Sequence, residues 1–275
     1  MTTRIGISIK PNSPSALQRA NELKSWLKKR DIDAFVSSFL DIGTHDLDHL
    51  KLMVVLGGDG TLLHTAGHLI DSDTPILGIN MGQLGFLTET PLEDMLKTVK
   101  RILNGEGEIE TRFCLEAEWD DGHAKVINDV VLQRYHNPTM MTFEMYVADQ
   151  FVFNLNADGL ILSTPTGSTA YSLSAGGSIV HPKLKAINVV PICPHMLSNR
   201  PILIPADDEI QLRVLKGKGE VSLNLDGQQH ALLQHGSQVT IRCGGQFSLI
   251  RLVNYSYYRT LRNKLHWGNQ YKDDL

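Results

Sequence analysis

The chain has 275 residues, 42% hydrophobic and 20% charged, the balance of a soluble globular protein with room for one large domain or two ordinary ones. A formal net charge of −4 speaks against a nucleic-acid partner held by phosphate neutralisation. No apolar run approaches the ~20 residues of a membrane span, and no cleavable leader is expected at the N-terminus. Cys114, Cys193 and Cys243 show no metal or redox spacing, so a reduced, cytoplasmic setting is expected.

Arg4 to Ile9 reads as a strand, followed by Ser13 as a helix cap with Pro14 at the first helical position. Leu17, Ala20, Leu23 and Leu27 recur at steps of three and four and predict the buried stripe of that helix. Asp33 to Val36 is a weaker strand. Leu52 to Leu56 has no polar alternation, the pattern of a strand buried on both faces. It runs into Gly57-Gly58-Asp59-Gly60-Thr61, after which Leu62 to Ile70 reads as helix. Pro75 to Ile79 is the next strand, followed by Asn80-Met-Gly-Gln-Leu-Gly-Phe-Leu87. Thr90 to Glu93 has the form of a capping box, opening a helix that stops at Gly105. Alternating strands and helices predict a mostly parallel sheet, with ligands at the carboxyl ends of its strands.

From Ile109 the pattern changes to short β-rich segments: 113–119, 125–132, 142–147, 150–155, 160–162, 187–192, 202–204, 209–214, 220–225, 238–242 and 247–252. Turn dipeptides separate many of them, Gly244-Gly245 among these, and the expected architecture is an antiparallel sandwich. Tyr257 to Leu265 is helical again. The expected organisation is an α/β domain over 1–105, an all-β sandwich over 106–254, and a helical segment over 255–275 that returns to the first domain, with a cleft between the domains.

Two stretches have no explanation in core packing. The glycines around Asp59 let the backbone turn tightly and a ligand approach it closely. Leu160-Ile-Leu-Ser-Thr-Pro-Thr-Gly-Ser-Thr-Ala-Tyr-Ser-Leu-Ser-Ala-Gly-Gly177 buries little apolar surface but offers hydroxyls, backbone N–H groups and one aromatic ring. Those are the parts that hold a nucleotide. The phosphate-loop pattern with its Gly-Lys-Ser/Thr and the G-x-G-x-x-G fingerprint are both absent from the sequence. Each stretch alone also fits a plain turn or surface loop.

Together these residues, with Asn128-Asp129, Asp158-Gly159 and His181-Pro182, resemble the NAD kinase family over essentially the whole chain. The Gly-Gly-Asp-Gly turn is shared with diacylglycerol, sphingosine and phosphofructokinase relatives, whereas the long Ser/Thr/Gly motif is the specific one. The resemblance implies ATP-dependent phosphorylation of the 2′-hydroxyl of the adenosine ribose of NAD. It implies magnesium or another divalent cation with ATP, no nucleic-acid or membrane partner, and a homodimer or homotetramer. Asp59 is then the general base or a guide for the metal, and Gly57, Gly58, Gly60 and Thr61 face phosphate. The dinucleotide would be held by Asp59, Gly60, Asn128, Asp129, Thr139, Asn156, Asp158, Ser163, Thr169, Ala170, Tyr171, Ser172, Leu173, Ser174 and Gln228. Asn128-Asp129 stands where the family usually has Asn-Glu, one methylene longer at the acid.

Two readings compete with this one. A superfamily relative acting on a lipid or sugar alcohol would share the glycine turn, and a non-catalytic dinucleotide sensor would keep the pocket without Asp59. His64 and His68, four apart on a helix, have the spacing of a zinc pair but no third ligand in view.

Overall fold

A computed structural model describes residues 3–136, 140–196, 198–216, 220–252 and 255–267. The chain divides into two compact units, one made of Met1–Thr111 with Phe247–Leu275, the other of Arg112–Gln246. The boundaries fall inside two long strands, after Thr111 and after Gln246, rather than at Gly105 and residue 254.

The first unit opens with β1 (Arg4–Ile9), α1 (Pro14–Lys28), β2 (Asp33–Ser38), β3 (Leu52–Gly57) and α2 (Asp59–Gly67). β4 (Pro75–Asn80), β5 (Thr90–Pro91) and α3 (Met95–Leu103) follow. β2, β1, β3 and β4 pair in that order, all parallel, and every residue of β3 is buried, as its unbroken apolar run predicts. Ser13 caps α1 by accepting the Ala16 N–H at 3.4 Å. The stripe that α1 buries is Ala16, Ala20, Leu23 and Leu27; Leu17 points outward and is 46% exposed.

The capping box does not form. Thr90 instead pairs with Ile79 beside β4, and α3 starts at Met95 after a short 3-10 turn, with no side-chain cap at Asp94. α3 then ends ahead of Gly105, whose φ of 88° is the left-handed conformation glycine adopts at low cost.

The second unit holds β6 (Gly107–Trp119, from its residue 112 on), β7 (Gly122–Val126), β8 (Asp129–Arg134), β9 (Met141–Val147), β10 (Gln150–Ala157) and β11 (Gly159–Ser163). After it come α4 (Tyr171–Ser174), β12 (Ala186–Ile192), β13 (Ile202–Pro205), β14 (Ile210–Lys216), β15 (Val221–Leu225), β16 (Gln228–Leu233) and β17 (Gln238–Leu252, up to its residue 246). One antiparallel sheet has the order β13-β12-β11-β8-β15-β16. Opposite it, β10, β9, β14 and β17 pair in that order, again antiparallel. Leu132, Phe143, Leu160, Leu162, Leu212, Leu223 and Ile241 from the two sheets share one buried core, which is the expected sandwich.

Three details depart from the sequence reading. The segment 125–132 is two strands, β7 and β8, broken at Ile127-Asn128. Segments 238–242 and 247–252 are one continuous strand, and β16 had no separate signal. Gly244-Gly245 is not a turn: a Cβ on Gly244 would lie 2.7 Å from the Glu116 backbone nitrogen, so glycine there admits the close approach of β6.

The final helix, α5 (Tyr257–Leu265), has the predicted limits and lies in the first unit, where the Thr260 hydroxyl meets a Glu89 carboxylate oxygen at 3.5 Å. No helix among the described residues is long and apolar enough to cross a membrane.

Candidate active site

β3 ends at Gly57, and α2 begins at Asp59 itself, three residues earlier than the sequence suggests. Asp59 therefore stands in the first turn of a helix, where the unpaired N–H groups favour a negative charge. The side chain does not lie idle. Its Oδ2 accepts the Phe86 N–H at 2.7 Å, and its Oδ1 accepts the N–H groups of Leu87 and Thr88 at 3.0 Å and the Thr88 hydroxyl at 3.0 Å. The Asn80–Leu87 stretch, unassigned by composition, thus forms the cradle of this carboxylate.

Asn80 shapes that cradle. Its Nδ2 donates to Gln83 O at 2.6 Å, Thr88 O at 3.2 Å and Thr88 Oγ1 at 3.2 Å, while its Oδ1 accepts the Gly82 N–H at 2.7 Å. Gly85 is required by proximity, since a Cβ there would lie 2.0 Å from Asp59 Oδ1 and 2.5 Å from Thr88 Oγ1. Immediately beyond, Glu89 pairs with buried Arg251, which also binds Glu110 at 2.6 Å and lies 3.9 Å over the Tyr255 ring. Burial pushes the Arg251 guanidinium below its ordinary range, opposed by the charges of Tyr255 and Asp59.

The glycines at 58 and 60 are different from Gly85. Both are exposed, neither has a positive φ, and a Cβ on either would meet nothing within 4 Å. Folding gives no reason for glycine at these two places. They leave the backbone N–H groups of a strand-to-helix turn open to a ligand, the arrangement that suits phosphate oxygens. Thr61 is buried, and its own carbonyl accepts the Thr65 hydroxyl at 2.9 Å.

In the second unit a cavity of about 320 Å³ is lined by Asn128, Asp129, Ala170, Tyr171, Asn224, Asp226 and Gly227 among others. Four of the residues expected to bind the dinucleotide meet there. Tyr171 is 43% exposed, so its ring is not core filling. Asp226 fixes the break between β7 and β8: its Oδ2 accepts the Ile127 N–H at 2.9 Å, and its Oδ1 accepts the N–H groups of Asn128 at 2.6 Å and Asp129 at 3.2 Å. Burial, and then the neighbouring Asp226 charge, push the Asp129 carboxyl up to about 7.

The hydroxyl-rich segment uses much of its polarity on itself. Thr164 Oγ1 donates to Ile127 O at 2.7 Å and accepts the Gly167 N–H at 3.0 Å, and Ser168 Oγ donates to Pro165 O at 2.7 Å. Ser172 is fully buried and accepts from Asn188 Nδ2 at 3.0 Å. Ser163 is buried opposite Asp129 in the β8–β11 pair, with no hydrogen-bond partner for its hydroxyl among the described residues. Thr169 lies 3.3 Å from Thr166 O, and Leu173 and exposed Ser174 continue through α4.

Asn156 and Asp158 lie outside the cavity lining. Asn156 Oδ1 accepts the Thr142 hydroxyl at 2.7 Å, and Asp158 pairs with Arg134 at 3.3 Å. Gln228 is exposed at the start of β16, and Thr139 lies outside the described residues. The His64 ring stacks on Phe39 at 4.5 Å, and no group of three His, Cys, Asp or Glu among the described residues has the form of a metal site.

A separate cavity of about 210 Å³ in the first unit, walled in part by Glu89, Thr98, Arg101 and Arg251, contains neither Asp59 nor the glycine turn.

Comparison with known proteins bears on the family and the fold. The ATP-NAD kinase N-terminal domain pattern matches residues 41–107, and the ATP-NAD kinase C-terminal domain pattern matches residues 127–252. The NAD kinase of Magnetococcus marinus is 39% identical over 96% of this chain and 93% of its own. That of Chlorobium phaeobacteroides is 38% identical over 99% and 100% respectively. Among solved structures, yeast NADH kinase complexed with NADH superposes with a TM-score of 0.86 at 26% identity, over 97% of this chain and 88% of that one. An NAD kinase from Archaeoglobus fulgidus in complex with ATP shares the fold, with a TM-score of 0.78 at 23% identity over 96% and 99% of the two chains. With both domain patterns matched in order and relatives aligned end to end, the chain belongs to the ATP-NAD kinase family.

Proposed function

We propose that this protein transfers the terminal phosphoryl group of ATP to the 2′-hydroxyl of the adenosine ribose of NAD, giving NADP and ADP. The 2′-oxygen forms a bond to the γ-phosphorus as the bond from that phosphorus to the β–γ bridging oxygen breaks. The hydroxyl proton passes to Asp59. The observation that carries this reading is the Asp59 carboxylate, held by Phe86, Leu87 and Thr88 and flanked by Gly58 and Gly60, where a Cβ would meet nothing within 4 Å. A base so positioned contributes roughly 10²–10⁴-fold, and the rest of phosphoryl transfer is alignment and charge neutralisation.

The open turn at Gly58 and Gly60 fits the phosphates of ATP, with Gly57 and Thr61 shaping it. Magnesium, with no cage of its own among the described residues, would arrive on those phosphates and neutralise charge there. For NAD, the cavity of Asn128, Asp129, Ala170 and Tyr171 supplies an amide for a base edge, a carboxyl for a ribose diol, backbone groups and a flat ring. Asn156, Asp158, Thr169, Leu173, Ser174 and Gln228 belong to the same proposal as rim contacts. Ser163 and Ser172 enter it as the buried wall behind them. Cys114, Cys193 and Cys243, none of them in a disulfide among the described residues, support a cytoplasmic setting. Exposed Phe151, Val152, Ile202 and Leu203 on edge strands support a homo-oligomer, which sedimentation would measure.

The test is direct. Purified protein with NAD, ATP and magnesium is assayed for NADP by a coupled NADP-specific dehydrogenase, with lipid and sugar alcohols as competing acceptors. NADP formation is expected. Phosphate transfer to another alcohol without NADP would overturn the substrate, and tight NAD binding with no transfer would favour a sensor.

A further inference from the structure

The two oxygens of Asp59 are not equivalent. Among the described residues Oδ1 accepts three hydrogen bonds, from Leu87 N–H, Thr88 N–H and Thr88 Oγ1, while Oδ2 accepts one, from Phe86 N–H. An ionised carboxylate has about four lone-pair sites shared between two oxygens. Oδ1 is therefore filled, and the remaining capacity lies on Oδ2.

The direction of the Thr88 hydroxyl is fixed by its other neighbour. Asn80 Nδ2 is 3.2 Å from Thr88 Oγ1 and can only donate, so the threonine oxygen accepts there. The Asn80 amide is itself oriented by the Gly82 N–H on its Oδ1. The single hydroxyl proton of Thr88 then goes to Asp59 Oδ1 at 3.0 Å. Thr88 is fully buried, and Gly85 beside it leaves no room for a competing side chain.

We propose that Thr88 is a positioning residue which, oriented by Asn80, saturates Asp59 Oδ1 and assigns the reacting role to Oδ2. Oδ2 is then the atom that takes the proton of the acceptor hydroxyl as its oxygen bonds to the γ-phosphorus and ADP departs. The inference rests on the kinase reading above and goes beyond it by naming the oxygen and the residue that selects it.

The variant Thr88→Val removes the hydroxyl and keeps the shape and the backbone N–H. Loss of one hydrogen bond to a charged group predicts a fall in kcat of about ten- to a hundredfold. KM for NAD and ATP should stay near the wild-type values. Thr88→Ser should restore most of the turnover, and in an Asp59→Asn background Thr88→Val should have no further effect. Thr88→Ala is the second variant if valine does not fold, with the same expected fall.

Full kcat in the folded valine or alanine variant, or an equal loss in the serine variant, overturns the inference. So does a rise in KM with kcat unchanged, the pattern of a merely structural threonine. A wild-type protein that forms no NADP instead removes the kinase reading before any variant is compared.

Discussion

Asp129 and Asp226 are tied to each other in both directions: the Asp226 N–H donates to Asp129 O at 3.0 Å, and the Asp129 N–H donates to Asp226 Oδ1 at 3.2 Å. Asp226 satisfies its charge with three backbone donors, which leaves Asp129, only 4% exposed, as the member of the pair that holds a proton. Its carboxyl rises from an ordinary 3.8 to about 7.

That shift gives a pH dependence with a definite sign. Between about pH 4 and 7 the folded state holds a proton that the unfolded state has lost, so this residue's stability contribution is full below pH 4 and declines as pH rises to 7. The whole decline is on the order of 4 kcal/mol. Asp129→Asn, which imitates the protonated acid, should therefore gain stability over wild type as pH is raised. Urea midpoints of the two proteins at pH 5 and pH 8 measure it, and a constant difference would refute the assignment.

Asp59→Asn should lower NADP formation by roughly 10²–10⁴-fold while NAD binding by calorimetry is largely retained. The new amide sets an NH₂ group against backbone donors on one side of the cradle, so stability should also fall by about 1–3 kcal/mol. Near-normal turnover would take Asp59 out of the mechanism.

Gly60→Ala is expected to move stability and catalysis in opposite directions. A Cβ at this helical position meets nothing within 4 Å, so alanine should raise stability by a few tenths to about 1 kcal/mol. The same methyl should raise KM for ATP severalfold by crowding the phosphates. Improved melting with unchanged KM would move the phosphate site away from this turn.

Gly85→Ala should abolish turnover although Gly85 need touch no substrate. Its methyl would displace the Asp59 carboxylate and the Thr88 hydroxyl together. Steady-state kinetics with a thermal melt reads both effects, and wild-type kcat in a folded variant would contradict the cradle geometry.

Much of the fold is legible in the sequence because it rests on local periodicity: the all-apolar β3, the Ser13-Pro14 start of α1 and the span of α5 all follow their patterns. The failures share a cause in long-range contacts. Gly244-Gly245 has the composition of a turn, but it lies inside β17, where Glu116 packs so closely that a Cβ on Gly244 would not fit. Asn128-Asp129 inside an apolar run fits a local turn or bulge, but the carboxylate that fixes the break lies 99 residues from Ile127. Thr90 to Glu93 has every residue of a capping box, but pairing with β4 takes precedence.

The site was legible in the same uneven way. Asp59 stands out in its glycine turn and Tyr171 as the ring of the Ser/Thr/Gly stretch, whereas Asn128 and Asp129 enter only through the family resemblance. The partners of Asp59 do not stand out, because three of them are main-chain N–H groups that any residue supplies. Thr88 and Asp226 had a weak signal, a hydroxyl just after the Leu-Gly-Phe-Leu run and an acid in a turn dipeptide, and only the fold gives them work.

The knotting of Thr164, Ser168 and Ser172 onto their own neighbours has a thermodynamic corollary. If this segment backs the dinucleotide site as proposed, a wall already stiff before any guest arrives has little motion left to surrender when the guest settles. Recognition by such a chamber can rest on a handful of contacts and still be firm, and substitutions that loosen these hidden hydroxyls would weaken binding while leaving every contact atom in place.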